Sequence, residues 1–190
     1  MIYVQFFPVM IAVMQMQMVS PQTISGGSCS KSVETVADFD VNKYTGRWYE
    51  HEKYPAIFEF GGKCIYAEYH DLGNNEVSVF NFQKNKLSGL GSSITGTAKV
   101  VSSGKLEVRF DGFAALAGPG NYWVLGTDYE NFSVVYSCSD FVGVVNTKVI
   151  WILTRQRFPE EKIVAQARDV IASHGFSLTN LVKTDHSHCD

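Results

Sequence analysis

The chain has 190 residues, with 16 Lys+Arg against 19 Asp+Glu and a formal net charge of −3; that suits a single domain and excludes a broad basic surface for nucleic acid. With 45% hydrophobic and 18% charged residues it can bury a core, which excludes wholesale disorder. Sixteen Gly and 13% aromatic residues favour many short strands and turns over a helical bundle.

The first charged side chain is Lys31, and all five Met lie at or before Met18. Ile2 to Met14 is apolar but broken by Gln5 and Pro8, so it falls short of the roughly 20 residues of a membrane span. It reads as a secretory leader over residues 1–25, cut between 22 and 28, ahead of one domain over 26–190. Cys29, Cys64, Cys138 and Cys189 are widely spaced and form no Cys-x-x-Cys. They read as two disulfides of an exported protein, with three pairings open. Asn131-Phe-Ser133 is a glycosylation sequon at the edge of a strand.

Strands are expected over Trp48 to Pro55, after a tight entry at Gly46, and over Cys64 to His70. Gly73-Asn-Asn75 makes the turn into a third, Val77 to Gln83. Ile94 to Val101 is the fourth. The fifth has the cleanest alternation, Leu106, Val108 and Phe110 against Lys105, Glu107, Arg109 and Asp111. Tyr122 to Leu125, Phe132 to Cys138 and Thr147 to Thr154 complete eight. One helix follows, with Pro159 expected at its first position, Glu160 and Glu161 in the first turn, and Gly175 as its stop. Ile163, Val164, Ala167, Val170 and Ile171 share one face of it. The tail from Ser177 to Cys189 returns as an extended arm. This is an all-β chain: an eight-stranded antiparallel up-and-down barrel with one C-terminal helix packed outside, able to hold one ligand.

Three motifs then resemble the lipocalin family: Gly46-Arg-Trp48 opening the first strand, Thr127-Asp128-Tyr129 after the sixth, and Arg155 ending the eighth. The resemblance implies that Trp48 closes the barrel floor with Arg155 stacked on its indole. Gly46-Arg-Trp-Tyr-Glu50, Lys53-Tyr-Pro55, Gly62 to Tyr69, Asn121 to Leu125 and Tyr136-Ser-Cys138 look like the branch holding the insect bilin-binding proteins, the insecticyanins and apolipoprotein D. The likeness runs from Cys29 to Cys189. That branch pairs its cysteines first with third and second with fourth, which implies Cys29–Cys138 and Cys64–Cys189 here.

With the family setting the phase of alternation, Val77, Val79, Asn81 and Gln83 face inward, as do Leu106, Val108, Phe110, Tyr122 and Val124. Ser133, Val135, Ser137, Thr147, Val149, Trp151 and Leu153 complete the lining. Such a pocket, apolar with amides and hydroxyls near its mouth, suits an elongated apolar molecule with polar ends. The resemblance implies a small hydrophobic ligand: a non-covalent biliverdin-type bilin first, a fatty acid or sterol second, the latter with lipid transport and protection against oxidation as its use. The bilin-binding relatives place Asn and His two apart on the third strand, where this chain has Asn81 and Gln83. No cofactor is required by this reading.

Enzyme signatures fail. His51-Glu52-Lys-Tyr-Pro55 has Pro where a zinc protease needs its second His. Asp38-x-Asp40-x-Asn42 lacks the sixth-position Gly and twelfth-position Glu of a calcium loop. His186 and His188 lack a third ligand nearby in sequence. Glu50 and Glu52 are read as exposed or hydrated, because an unpaired buried charge is costly. The apolar stretches Ile57-Phe-Glu-Phe60 and Ala114 to Ala117 near the mouth suggest contact with a membrane, a lipoprotein or a protein partner, or a lid.

Overall fold

A computed structural model of the chain describes residues 23–189. Residues 1–22 of the expected leader lie outside the described residues; Thr23–Gly26 form β1, a short strand laid antiparallel on the outer part of β9 (Val145–Thr154).

The barrel is built from β2 (Gly46–Lys53), β3 (Gly62–Gly73), β4 (Glu76–Asn85), β5 (Gly91–Ser102), β6 (Lys105–Phe110), β7 (Gly120–Thr127), β8 (Phe132–Phe141) and β9. Each is antiparallel to its sequence neighbour, and β9 closes the ring on β2, with Tyr49 opposite Thr154 and Glu50 opposite Leu153. Eight antiparallel strands with period-2 alternation thus give the closed barrel expected from the pattern. Local chemistry sets the turns. Asn74 and Asn75 take φ +53° and +62° between β3 and β4, the left-handed region in which Asn is tolerated. Gly46 has φ +91°, and a β-carbon there would lie 3.2 Å from Arg155 Nη1.

Up-and-down connectivity sorts the loops by end. The turns at 74–75, 103–104 and 128–131 lie with the entry to β2, where α1 (Val41–Tyr44) plugs the floor. Asp40 caps α1 by accepting from the amides of Asn42 and Lys43. The connections 54–61, 86–90, 111–119 and 142–144 ring the opposite end, the mouth.

Two apolar clusters stabilise the fold. One fills the barrel: Trp48, Tyr69, Val79, Leu106, Val124 and Val135 with their neighbours. The other joins the outer face of β7–β9 to α2 (Glu161–Ser173) through Ile150, Ile152, Ala167 and Ile171. Pro159 precedes the helix by two residues and Glu160 is its N-cap, a correction to the expected start; the residue before a proline and its own fixed φ suit the extended approach equally well. Gly175, φ +75°, ends it as expected.

The C-terminal arm is part of the wall. β2 pairs with β3 only over Gly46 to Tyr49, and beyond that β10 (Val182–Lys183) takes β3's place beside β2. Thr184 N donates to His51 O at 2.9 Å and Cys64 N to Asp185 O at 2.8 Å, so the arm seals a slot between β2 and β3. Cys64–Cys189 fastens its end and Cys29–Cys138 ties the N-terminal segment to β8.

Candidate binding site in the barrel

The floor is aromatic. Trp48 is fully buried and donates from Nε1 to Tyr44 O at 2.8 Å, while the Arg155 guanidinium lies 3.7 Å from its ring centroid. Arg155 also donates to the carbonyls of Tyr129, Arg47 and Lys43 at 2.9–3.0 Å, which ties the ends of β9, β2 and α1 together. Thr127 and Asp128 work within their own turn. Thr127 Oγ1 donates to Phe132 O, and Asp128 Oδ1 accepts from the amides of Asn131 and Phe132. Asn131 Nδ2 donates to Asp128 Oδ2 at 2.8 Å, so the sequon amide belongs to this turn.

Above the floor three tyrosines converge. Tyr44 Oη is 2.8 Å from both Tyr122 Oη and Ser133 Oγ, and Tyr69 Oη donates to Tyr122 Oη at 3.0 Å. Burial pushes the Tyr44 phenol up to about 12 and raises Tyr69 and Tyr122 as well, so all three remain neutral donors. Only about 10 Å³ of space remains among Tyr44, Tyr69, Val77, Leu106 and Tyr122. The lower half of the barrel is therefore packed core.

Among the expected lining residues, Val79, Val108, Phe110, Tyr122, Val124, Val135 and Trp151 belong to the interior cluster. Val149 packs instead with the cluster around Tyr54 and Ile150, which Trp151 also touches. Ser137 Oγ donates to Asn121 Oδ1 at 3.3 Å. Gln83 is half-buried, its Oε1 against Gly62, where a β-carbon would come within 2.5 Å. Asn81 Oδ1 is buried and has no hydrogen-bond partner in the protein. A buried acceptor left so is costly unless a ligand or water donates to it.

The mouth holds a charged cluster that sequence reading did not find. Glu50 is 2% exposed, and its Oε1 accepts from Lys53 Nζ at 2.8 Å and from Thr184 Oγ1 at 2.5 Å. Lys53 also reaches Glu59 Oε2 at 2.5 Å, and Trp151 Nε1 donates to Glu59 Oε1 at 3.3 Å. Burial raises the Glu59 carboxyl to about 8, helped by the charge of Glu50, which meets the same Lys53 ammonium. Burial alone would lower Lys53, but the two carboxyls outweigh it and raise it. Glu52 points to the outer side after a register shift at His51, and Arg168 of α2 grips both its oxygens at 2.5 and 3.1 Å. The expectation of two exposed or hydrated carboxylates at Glu50 and Glu52 is therefore corrected: Glu50 points inward, and both are buried. Both are buried because each has a partner far away in sequence.

His186 is buried in the arm and donates from Nε2 to Glu50 O at 2.6 Å. No group of three or more His, Cys, Asp or Glu able to hold a metal exists among the described residues. All four cysteines are bridged, which leaves no thiol to attach a chromophore.

A family model described as a lipocalin-like domain matches residues 39–186. The chain is 38% identical over 155 residues to apolipoprotein D of Mus musculus, covering 80% of this chain and 79% of that one. It is 33% identical over 158 residues to the Lazarillo protein of Schistocerca americana, covering 80% and 72%. Among solved structures, insecticyanin from the tobacco hornworm Manduca sexta superposes with a TM-score of 0.75 at 25% identity, covering 88% of this chain and 90% of that one.

Proposed function

As a member of the lipocalin-like family, the chain is a binding protein for small hydrophobic molecules, and we propose that it is a secreted, non-catalytic carrier whose ligand lies in the upper barrel against Val79, Val108, Val124, Val135 and Trp151. Asn81 Oδ1 carries this reading: a buried acceptor without a protein partner, facing an apolar lining, calls for a ligand with a donor partway along its length. A bilin has pyrrole N–H groups in such places, and the absence of a free thiol fits non-covalent retention. The similarity to apolipoprotein D supports a second reading, a sterol or fatty acid. Two disulfides and the apolar leader support an oxidising, extracellular setting.

The mouth supports a peripheral lipid contact. Phe58, Phe60, Leu87, Leu90, Phe113 and Phe141 are all exposed and lie on or beside its four loops. The turns of the closed end carry Asn, Asp and Ser instead. A mouth that rests on a lipid surface could pass an apolar ligand across without exposing it to water.

An absorption spectrum of protein purified from its natural source, from the near ultraviolet to the red, tests the ligand. Stoichiometric bands at both ends mean a bilin. A colourless protein that yields one fatty acid or sterol on solvent extraction means lipid carriage. A protein that yields none and binds none removes the carrier reading.

A further inference from the structure

The cluster at the mouth has a geometry that carriage alone does not require. Lys53 and Trp151 stand opposite each other on β2 and β9, fixed in the wall. Both donate to one carboxyl, Lys53 to Oε2 of Glu59 and Trp151 to Oε1. Glu59 itself is not wall. It ends the 3-10 turn Ile57–Glu59, whose Ile57 and Phe58 are 65% and 61% exposed. That turn is closed by its own backbone, Glu59 N to Ala56 O and Phe60 N to Ile57 O, and Gly61 follows at φ +73°. A surface turn thus lends one carboxyl to two donors held inside the barrel.

Resting on the carrier reading above, we propose that Glu59 stands in for a ligand head group, and that Lys53 and Trp151 form the site for the carboxyl of a carboxylic acid whose apolar tail lies in the upper barrel. Two donors, each aimed at a different oxygen of one carboxyl, match a carboxyl better than a single hydroxyl. An amine would set donor against donor. Glu50 narrows the choice further. It already pairs with Lys53, so a second full negative charge beside it is disfavoured. Glu59 lies on the other side of the same ammonium, its Oε2 2.5 Å from Lys53 Nζ, and burial favours its protonated form. A carboxylic acid entering in its place can hold that proton. A sulfonate cannot, since it stays ionised at neutral pH. The groups facing this point are Glu50 and Lys53 of β2, Trp151 of β9, and Thr184 of the arm through Glu50.

The test compares palmitic acid, cetyl alcohol and cetyl sulfonate on delipidated full-length protein, by displacement of a fluorescent apolar probe. The acid is expected to bind about tenfold or more tightly than either analogue, each tenfold being 1.4 kcal/mol. Glu59→Ala removes the internal competitor and is expected to tighten the acid several-fold while leaving the alcohol unchanged. Lys53→Met is expected to abolish the preference. Because that variant strips Glu50 of its cation, Trp151→Phe serves as a second test, expected to halve or better the acid's advantage with the ring retained. Equal binding of all three molecules, or acid affinity unmoved by Glu59→Ala, overturns the proposal and leaves carriage standing. No binding of any of the three overturns the proposal, and the carrier reading falls with it when biliverdin also fails to bind.

Discussion

Arg155 joins three stretches of backbone at the floor. Its guanidinium lies on Trp48 while its N–H groups reach the carbonyls of Tyr129, Arg47 and Lys43. Arg155→Ala removes the stacking and leaves three carbonyls short of a donor, and is expected to cost about 2–4 kcal/mol in urea unfolding. Arg155→Lys is expected to recover little of it, since one ammonium cannot reach three carbonyls and stack as well. A second residue-scale expectation concerns Glu59. Its carboxyl is raised to about 8 when the turn is closed, against an ordinary value of 4.5. The closed form therefore binds the extra proton: its advantage is full below 4.5 and is lost as pH rises through about 8. Tryptophan emission should report Trp151 losing its acceptor between neutral pH and about pH 9, and in Glu59→Gln that change should be absent. The pairing of Trp48 with Arg155 was legible only through the resemblance to the lipocalin family, whose motifs set both at strand ends. The burial of Glu50 and Glu52 was not, because Glu59, Thr184 and Arg168 come from three other elements and no local pattern announces them.

At the scale of elements, the eight barrel strands were legible because each alternates with period 2 between turn residues. The wall-sealing arm was not: β10 has two residues, Val182 and Lys183, too few for any period. Its place follows from the slot left where β3 turns away from β2 near Cys64, which has φ +56°. The arm is expected to open when its fastening is removed. Cys64→Ser with Cys189→Ser releases a loop spanning 125 residues, and should cost about 3–5 kcal/mol by loop-closure entropy. Hydrogen exchange should then show the Thr184 amide losing protection while that of Val135 in β8 keeps it. Helix α2 has a polar tie besides its apolar face, Arg168 on Glu52, whose carboxyl is 6% exposed while the arginine is 35% exposed. Arg168→Ala leaves Glu52 buried without its partner and should cost about 1–3 kcal/mol, less than a fully buried pair because water reaches the arginine.

The whole molecule has two unlike ends. The closed end is filled by Trp48, Tyr44, Tyr69 and Tyr122 and rimmed by polar turns. The open end carries exposed Phe60, Phe113 and Phe141 above the Glu50–Lys53–Glu59 cluster. Phe60→Ser with Phe113→Ser should weaken partition onto phosphatidylcholine vesicles by about tenfold or more, given roughly 1.5–3 kcal/mol for each buried phenylalanine, without changing ligand affinity in solution. Cavity phase was readable only once the family fixed which face of each strand looks inward; alternation alone leaves both faces open. The central claim is that the upper barrel holds one small hydrophobic molecule. Its most direct test is a titration of delipidated protein with biliverdin and with a fluorescent fatty acid, followed by quenching of tryptophan emission. The account predicts saturation at about one ligand per chain for at least one of them, as expected for a single small-barrel cavity; linear, unsaturable quenching by both would contradict it.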